Sequence, residues 1–194
     1  MKKDTTINSN KNDYFLWAIC GISALACVAL FLTKAYISIS FLPDISGSEK
    51  STIFPIQNLA SSLPVYTDPE YPNFVLTQYT PIYITITAHI LHILNIDPEN
   101  VHKVFVTSRF LSFSLMILSV ALLWLFLRKT TSLLIAVLAS CFAFQILSFW
   151  YLTSSRPDSL LVLLTVLFVI ATYQAIRQNN TKSVFWILAI FIAV

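Results

Sequence analysis

The sequence predicts an all-α fold, a polytopic bundle of membrane helices with a long outer loop that carries short interfacial helices. Two observations support this prediction. Hydrophobic residues make up 57% of the chain and charged residues only 11%, whereas a soluble domain has about 25% charged residues. The apolar residues also fall in runs long enough to cross a bilayer, which takes about 20 residues. A chain of this composition needs lipid as its solvent.

The first apolar run, residues 14–34, follows a polar tail. We predict that this tail, residues 1–13, is disordered and cytoplasmic because it is polar and lysine-containing. A cleaved signal peptide is the alternative for the run, since basic residues precede it. The run is longer than the apolar core of a signal peptide, and Ser23 to Cys27 makes a poor lipoprotein cleavage site. We therefore predict an uncleaved anchor.

The interval 41–103 is the predicted outer loop. Residues 51–63 are weakly amphipathic, which indicates a short helix on the membrane surface. Residues 81–96 are apolar but short for a span, and they hold four polar side chains. If 81–96 crossed the bilayer, the basic groups near 128 and 177 would lie outside. Basic residues favour the cytoplasmic side, so we predict an interfacial or re-entrant helix.

This choice sets the remaining topology and places the N-terminus in the cytoplasm, in a membrane expected to be the bacterial inner membrane. The predicted spans are 14–34, 104–127, 132–150 and 159–176, with an incomplete fifth at 183–194. The loop and the turn 154–158 then face the same outer compartment. The chain ends inside an apolar run, so we expect it to be the N-terminal part of a longer protein.

An acid-rich loop and an Arg/Asp pair at one membrane face suit a lipid-linked phosphate substrate. A carboxylate can act as a general base on an acceptor hydroxyl or amine. An arginine can hold a phosphate with two parallel hydrogen bonds, and a second carboxylate can hold a divalent cation. We predict Glu49 and Asp158 as catalytic residues and Arg156 as the phosphate-binding residue. The cofactor is otherwise unknown.

Each of these residues also has a plainer interpretation. Glu49 fits a solvated loop acid, Asp68 a turn residue before Pro69, and Asp158 a cap that favours the helix dipole.

The remaining polar residues of the apolar segments also receive predictions. His89 and His92 are interpreted as interfacial anchors, because no third metal ligand has a suitable spacing. Arg109 is expected to snorkel or to pair with Asp97 or Glu99. The three cysteines lie in apolar segments and are interpreted as small buried residues, with no disulfide and no metal cluster.

The motifs follow one another in a recognisable order. They are Glu49, Leu-Pro-Val-Tyr-Thr-Asp-Pro at 63–69, Gln-Tyr-Thr-Pro-Ile-Tyr at 78–83 and Ser-Arg-Pro-Asp at 155–158. In this order they resemble the N-terminal half of the GT-C superfamily of integral-membrane glycosyltransferases. That superfamily includes the protein O-mannosyltransferases, the lipid A aminoarabinose transferases and the oligosaccharyltransferase catalytic subunits. The resemblance covers about residue 14 to the end, which makes 14–194 a GT-C-like module.

The resemblance implies a catalytic acid in the first outer loop, at the place of Glu49, and a second acid at the head of a later span, matched by Asp158. The pocket would be shaped by three further residues, Tyr66, Asp68 and Tyr79. The sequence departs from the family where Glu replaces the commoner Asp, where Ser61-Ser62 stands in place of a usual Gly, and where the family's C-terminal half is missing.

The first function hypothesis is a membrane glycosyltransferase, active if the chain continues beyond residue 194. It would move a sugar from a polyprenyl-phosphate donor to a lipid, glycan or protein acceptor at the outer membrane face. The second is a non-catalytic membrane protein, such as an accessory subunit or a degenerate relative. A transporter would place charged groups at the bilayer midplane, and here the acids lie in loops. The composition offers no basic stripe for nucleic acid, and it leaves the oligomeric state open.

Overall fold

The computed structural model describes residues 9–40, 49–66, 81–149 and 154–178, together with 185 and 189. This part of the chain contains six α-helices and no strand, which confirms the all-α class. The helices are α1 Ser9–Ile39, α2 Lys50–Ala60, α3 Pro81–Ile93, α4 Val101–Thr130, α5 Leu133–Phe149 and α6 Asp158–Gln178. Helix α1 begins before the predicted span, so residues 9–13 are helical instead of forming a disordered tail. An established helix extends at little cost, which accounts for the difference.

Three helices are long and apolar enough to cross a membrane, over Tyr14–Ile39, Val101–Thr130 and Asp158–Arg177. Helix α5 is apolar but has 17 residues, about 25 Å at 1.5 Å per residue. The protein is therefore a membrane helix bundle. The predicted incomplete span at 183–194 lies outside the described residues, apart from two isolated positions.

Helix α4 is the centre of the bundle and packs against α1, α2, α3, α5 and α6. At one end, the Arg109 side chain of α4 donates a hydrogen bond to the carbonyl oxygen of Ser40, which follows α1. This end, which also holds Glu49 and Ser155, is called the polar end below. At the other end, Lys129 of α4 and Arg177 of α6 line one cavity, and this end is called the basic end.

Helix α3 lies alongside the first half of α4. It has 13 residues, about 20 Å of rise, which is shorter than the roughly 30 Å hydrocarbon core. Its buried residues Ile84 and Leu91 share one apolar core with Ile56 of α2 and Val104 of α4. Such a short helix, covered by α2 and α4, has the geometry that an interfacial or re-entrant segment requires. Its position relative to the membrane stays a prediction.

A second apolar cluster joins α4 to α1 and α5, nearer the basic end than Arg109. Phe113 and Met116 of α4 pack with Phe144 of α5, and the ring of Phe31 on α1 lies 5.3 Å from that of Phe113. The outer face of α1 is apolar and exposed, as at Leu25, which is 72% exposed. Exposed leucines along a spanning helix face lipid in a membrane bundle.

Helix α2 ends in a Schellman motif that requires an unusual backbone conformation at Ser62. The amide of Leu63 donates to the carbonyl of Asn58 at 2.7 Å, and that of Ser62 donates to Leu59 at 3.1 Å. Ser62 has φ of 59°, in the left-handed region that favours glycine. The structure thus gives a reason why a glycine would suit this place, where the sequence has Ser61-Ser62.

We predict that Ser62→Gly raises the free energy of unfolding by about 0.5 kcal/mol. Relief of the left-handed backbone, about 1 kcal/mol, exceeds the added entropy of the unfolded chain. Ser61→Gly is the matched control, because Ser61 has φ of −89° and gains no such relief. It should lower stability by about 0.5–1 kcal/mol. Thermal unfolding in detergent measures both, and the same sign for the two variants would contradict the assignment.

Candidate functional site

The polar end is built around Glu49, which lies at the start of α2. Its backbone is helical, and its carbonyl accepts hydrogen bonds from the amides of Thr52 and Ile53, both at 2.9 Å. Its side chain does not cap α2 and is fully buried. The carboxylate of Glu49 instead extends to α4, where a buried carboxylate needs a charged or hydrogen-bonding partner.

That partner is Arg109 of α4, and the pair is bidentate. Arg109 donates from Nε to Oε1 of Glu49 at 2.9 Å and from Nη2 to Oε2 at 2.7 Å. Its third nitrogen, Nη1, donates to the carbonyl of Ser40 at 3.2 Å. The guanidinium also lies 4.9 Å from the ring centre of Phe105, one helical turn earlier. The arginine fork matches a carboxylate in this geometry.

The prediction for Arg109 was wrong. The side chain is 1% exposed, so it does not snorkel, and it pairs with Glu49 instead of Asp97 or Glu99. The physical reason is local: the carboxylate of Asp97 accepts the amide of Glu99 at 3.0 Å in an exposed turn before α4. Arg109 lies about two turns inside α4. The segment that packs against this part of α4 is the start of α2, which carries Glu49.

The turn before α6 is held against the same carboxylate. The amide of Ser155 donates to Oε1 of Glu49 at 2.7 Å, across 106 residues of sequence. Glu49 therefore joins three parts of the chain: α2, α4 and the turn that precedes α6. The long loop and the 154–158 turn meet at one end of the bundle, as a shared site at one membrane face requires.

A hydroxyl network continues from Ser155 into the helices. The Ser155 hydroxyl is hydrogen-bonded to that of Ser108. The Tyr83 hydroxyl donates to the carbonyl of Ser108 at 2.8 Å and lies 2.7 Å from the Ser112 hydroxyl. Burial raises the pKa of Tyr83 to about 12, more than its serine hydrogen bonds lower it, and the nearby Glu49 adds to the rise. Tyr83 is therefore a neutral hydroxyl at physiological pH.

Arg156 and Asp158 lie at the outer side of this network. Ser112 donates to the Arg156 carbonyl at 3.2 Å, which holds the backbone. The Arg156 Nε lies 3.7 Å from Oδ2 of Asp158, and the two side chains are 26% and 42% exposed. That distance is too long for a hydrogen bond. The buried Nε–H of Arg156 has no hydrogen-bond acceptor within the described structure.

The plainer interpretation of Asp158, a cap that favours the helix dipole, fits its place at the start of α6 but lacks the hydrogen bond of a cap among the described residues. Asp158 is the first residue of α6, where a negative charge is favoured by the helix dipole. Within the described residues its carboxylate accepts no backbone amide, and the Ser159 hydroxyl binds the Arg156 carbonyl at 3.0 Å. The Asp158 carboxylate thus faces outward beside Arg156 with hydrogen-bonding capacity to spare.

Of the remaining predicted site residues, the structure describes one, Tyr66. Tyr66 is described and is 57% exposed. Asp68 and Tyr79 lie outside the described residues.

The described residues do not form a cation site. No three histidine, cysteine or acidic side chains come together in the described ranges. Both oxygens of Glu49 accept hydrogen bonds, which leaves Asp158 as the other described acid at the polar end. His89 binds its own helix, with Nδ1 2.9 Å from the carbonyl of Thr85.

Sequence reasoning missed Tyr83, Ser108 and Ser112 as parts of the site. A signal for two of them was present, since Ser108, Arg109 and Ser112 form one polar stripe at helical spacing in an apolar span. Tyr83 is the last residue of the 78–83 motif, but it was not chosen as a site residue because a tyrosine near the membrane interface is ordinary.

The fold and hydropathy define the class, a helical membrane protein with a buried Glu–Arg pair at one end. Searches of family models, curated proteins and solved structures find nothing that matches the chain. The polar end itself therefore has to support the assignment of a function.

Proposed function

We propose that this protein is a membrane glycosyltransferase that uses a polyprenyl-phosphate-linked sugar donor at the outer membrane face. The observation that supports it best is the Arg156 side chain, whose buried Nε–H has no hydrogen-bond acceptor among the residues that the structure describes. A buried donor without a partner costs free energy, about 1–3 kcal/mol. A phosphate oxygen of a lipid-linked donor would supply the missing acceptor, at the head of a spanning helix.

In this proposal Asp158 is the general base. Its carboxylate accepts the proton of the acceptor hydroxyl or amine while that atom bonds to the anomeric carbon of the sugar. The bond from the anomeric carbon to the phosphate oxygen breaks, and its electron pair leaves with the lipid phosphate. The Arg156 guanidinium stabilises the charge that develops on that phosphate. The acceptor is a lipid, a glycan or a protein.

Glu49 has a positioning role in this proposal. Its side chain is fully buried, and both its oxygens are occupied by Arg109 and Ser155. Such a carboxylate does not reach an acceptor. The pair Glu49–Arg109 instead holds the Ser155 amide and thereby sets the position of the next residue, Arg156. The prediction that Glu49 itself reacts is not favoured by this geometry.

The test is sugar transfer from lipid-phosphate donors, measured in membranes from cells that express the complete gene. Asp158→Asn should lower kcat by about 10²–10⁴-fold, and Arg156→Gln by about 10²-fold. Glu99→Gln is the control, because Glu99 is an exposed acid in the turn before α4. Near-normal transfer by both Asp158→Asn and Arg156→Gln would remove the proposed roles.

The pH profile separates the base from the positioning residue. If Asp158 is the base, Asp158→Asn removes the fall of kcat/KM at acidic pH, whereas Glu49→Gln keeps this limb at a reduced rate. Loss of the limb in Glu49→Gln alone would make Glu49 the base. The rates are normalised to folded protein, since a change at Glu49 also affects stability.

A second candidate is a non-catalytic membrane protein, such as an accessory subunit. The complete engagement of Glu49 favours it, because an acid held by an arginine and an amide serves equally well as a structural joint. The same assay discriminates the two. If the protein is non-catalytic, the wild type shows no transfer with any polyprenyl-phosphate sugar. Variants of Arg109 are then still less stable than the wild type.

A further inference from the structure

The basic end carries a cavity that the proposed function does not use. It has a volume of about 380 Å³ and lies between the last turns of α4 and α6. Its lining residues are Phe126, Lys129, Thr130, Tyr173, Gln174 and Arg177.

The cavity has an apolar side and a cationic side. Phe126 and Tyr173 lie about one turn nearer the bilayer centre than Lys129 and Arg177. Their rings pack edge to face, 5.0 Å apart at 82°, and join the two helices. Aromatic rings prefer the membrane interface. The cations lie where the apolar helices α4 and α6 end, which is the expected level of lipid headgroups.

Within the described part of the chain, the structure shows no anionic partner for either cation. Among the described residues, neither Lys129 nor Arg177 forms an ion pair. The carboxylates that the structure describes, those of Glu49, Asp97, Glu99 and Asp158, lie at the polar end or in the turn before α4. Two like charges across one cavity repel each other, and an anion between them would be stabilised by both.

The C-terminal carbonyls of α4 would oppose an anion, because a helix ends in partial negative charge. Hydroxyls and an amide occupy two carbonyls near this end, those of Phe126 and Leu127. Thr130 Oγ1 donates to the Phe126 carbonyl at 3.1 Å, and Thr131 donates to the Leu127 carbonyl from both its hydroxyl and its amide, each at 2.8 Å. These bonds reduce the negative potential that an anion at the basic end would meet.

We infer that this cavity binds the phosphate of an anionic phospholipid headgroup in the adjacent leaflet. The phosphate would lie between Lys129 and Arg177, and the acyl chain would lie along Phe126 and Tyr173. Charged headgroups with apolar chains complement a cavity with one cationic and one apolar side, and basic pockets between membrane helices are suited to such lipids. A free phosphate ion would satisfy the cations but leave the aromatic side unused.

The test uses the whole chain reconstituted in phosphatidylcholine nanodiscs with and without phosphatidylglycerol. Binding is read from the rise in Tm with the anionic lipid and from retained lipid in native mass spectrometry. Lys129→Gln/Arg177→Gln should bind the anionic lipid about 30-fold more weakly and each single variant about five-fold more weakly. In pure phosphatidylcholine the Tm of each variant should not fall below that of the wild type, because neutralising either cation removes their mutual repulsion.

Arg128→Gln is the matched control, because it removes the same charge one residue away. Arg128 lies over the ring of Trp124, 5.3 Å from its centre, and does not line the cavity. Equal losses for Arg128→Gln and Lys129→Gln would overturn the site in favour of general surface attraction. Lys129→Arg should retain binding. Inorganic phosphate added to phosphatidylcholine nanodiscs should not raise Tm, and an equal rise would overturn the lipid as the ligand.

Discussion

Arg109→Met is expected to lower the free energy of unfolding by about 3–5 kcal/mol. Methionine fills much of the arginine volume, so the change chiefly removes the charge. It leaves the Glu49 carboxylate buried without its charged partner, while the hydrogen bond from the Ser155 amide remains. The Ser40 carbonyl loses its Nη1 donor as well. Thermal unfolding in detergent micelles, followed by intrinsic fluorescence, measures the loss.

The double variant Glu49→Gln/Arg109→Met isolates the charge. Glutamine is neutral, and its carbonyl oxygen still accepts the Ser155 amide, so no uncompensated charge remains buried. The double variant should therefore be more stable than the sum of the two single changes predicts, with a coupling energy of about 1–3 kcal/mol. Additive losses would show that the pair does not interact in solution. Glu99→Gln, an exposed acid, should change stability by less than about 0.5 kcal/mol.

Tyr83→Ala is the second large expected effect, with a loss of about 3–5 kcal/mol. The Tyr83 side chain is completely buried between α3 and α4, so truncation leaves a cavity in the core at the polar end. It also removes the hydroxyl that binds the Ser108 carbonyl and the Ser112 hydroxyl. Since these hydrogen bonds of Tyr83 link α3 to α4, the variant should loosen α3 before the rest of the bundle.

Tyr83→Phe divides this loss into its two parts. The ring remains and only the hydroxyl goes, so the expected loss is about 1–2 kcal/mol. Tyr14→Ala is the control, because Tyr14 is 70% exposed on α1 and should change stability little. Hydrogen exchange of the α3 amides reports the local loosening. Unchanged exchange in Tyr83→Ala would contradict the link between α3 and α4.

Much of the fold could be predicted from composition and apolar runs. The helices α4, α5 and α6 begin and end within a few residues of the runs that predicted them, because in lipid the backbone must satisfy its own hydrogen bonds and an apolar run becomes a helix. The short helices α2 and α3 were also indicated, by amphipathicity in one case and by an apolar run that follows Pro81 in the other.

The site was predictable only in outline. The polar loop and the Arg-Pro-Asp turn were expected at one end of the bundle, and the described structure brings Glu49 and Ser155 into contact there. The partners of the individual residues at that end could not be predicted from the sequence. Arg109 was expected beside the nearest acids in sequence, Asp97 and Glu99, because spacing along the chain says little about which distant segment covers a helix face.

The sequence by itself determined that this is a helical membrane protein, since a chain with so few charged residues cannot cover a surface in water. It also determined which polar groups are exceptional within the apolar runs. Only the tertiary structure decided their partners. An unpaired buried charge is costly. Arg109 therefore pairs with the carboxylate that packs next to it, which is that of Glu49. The same packing leaves the Arg156 and Asp158 side chains partly exposed, at 26% and 42%.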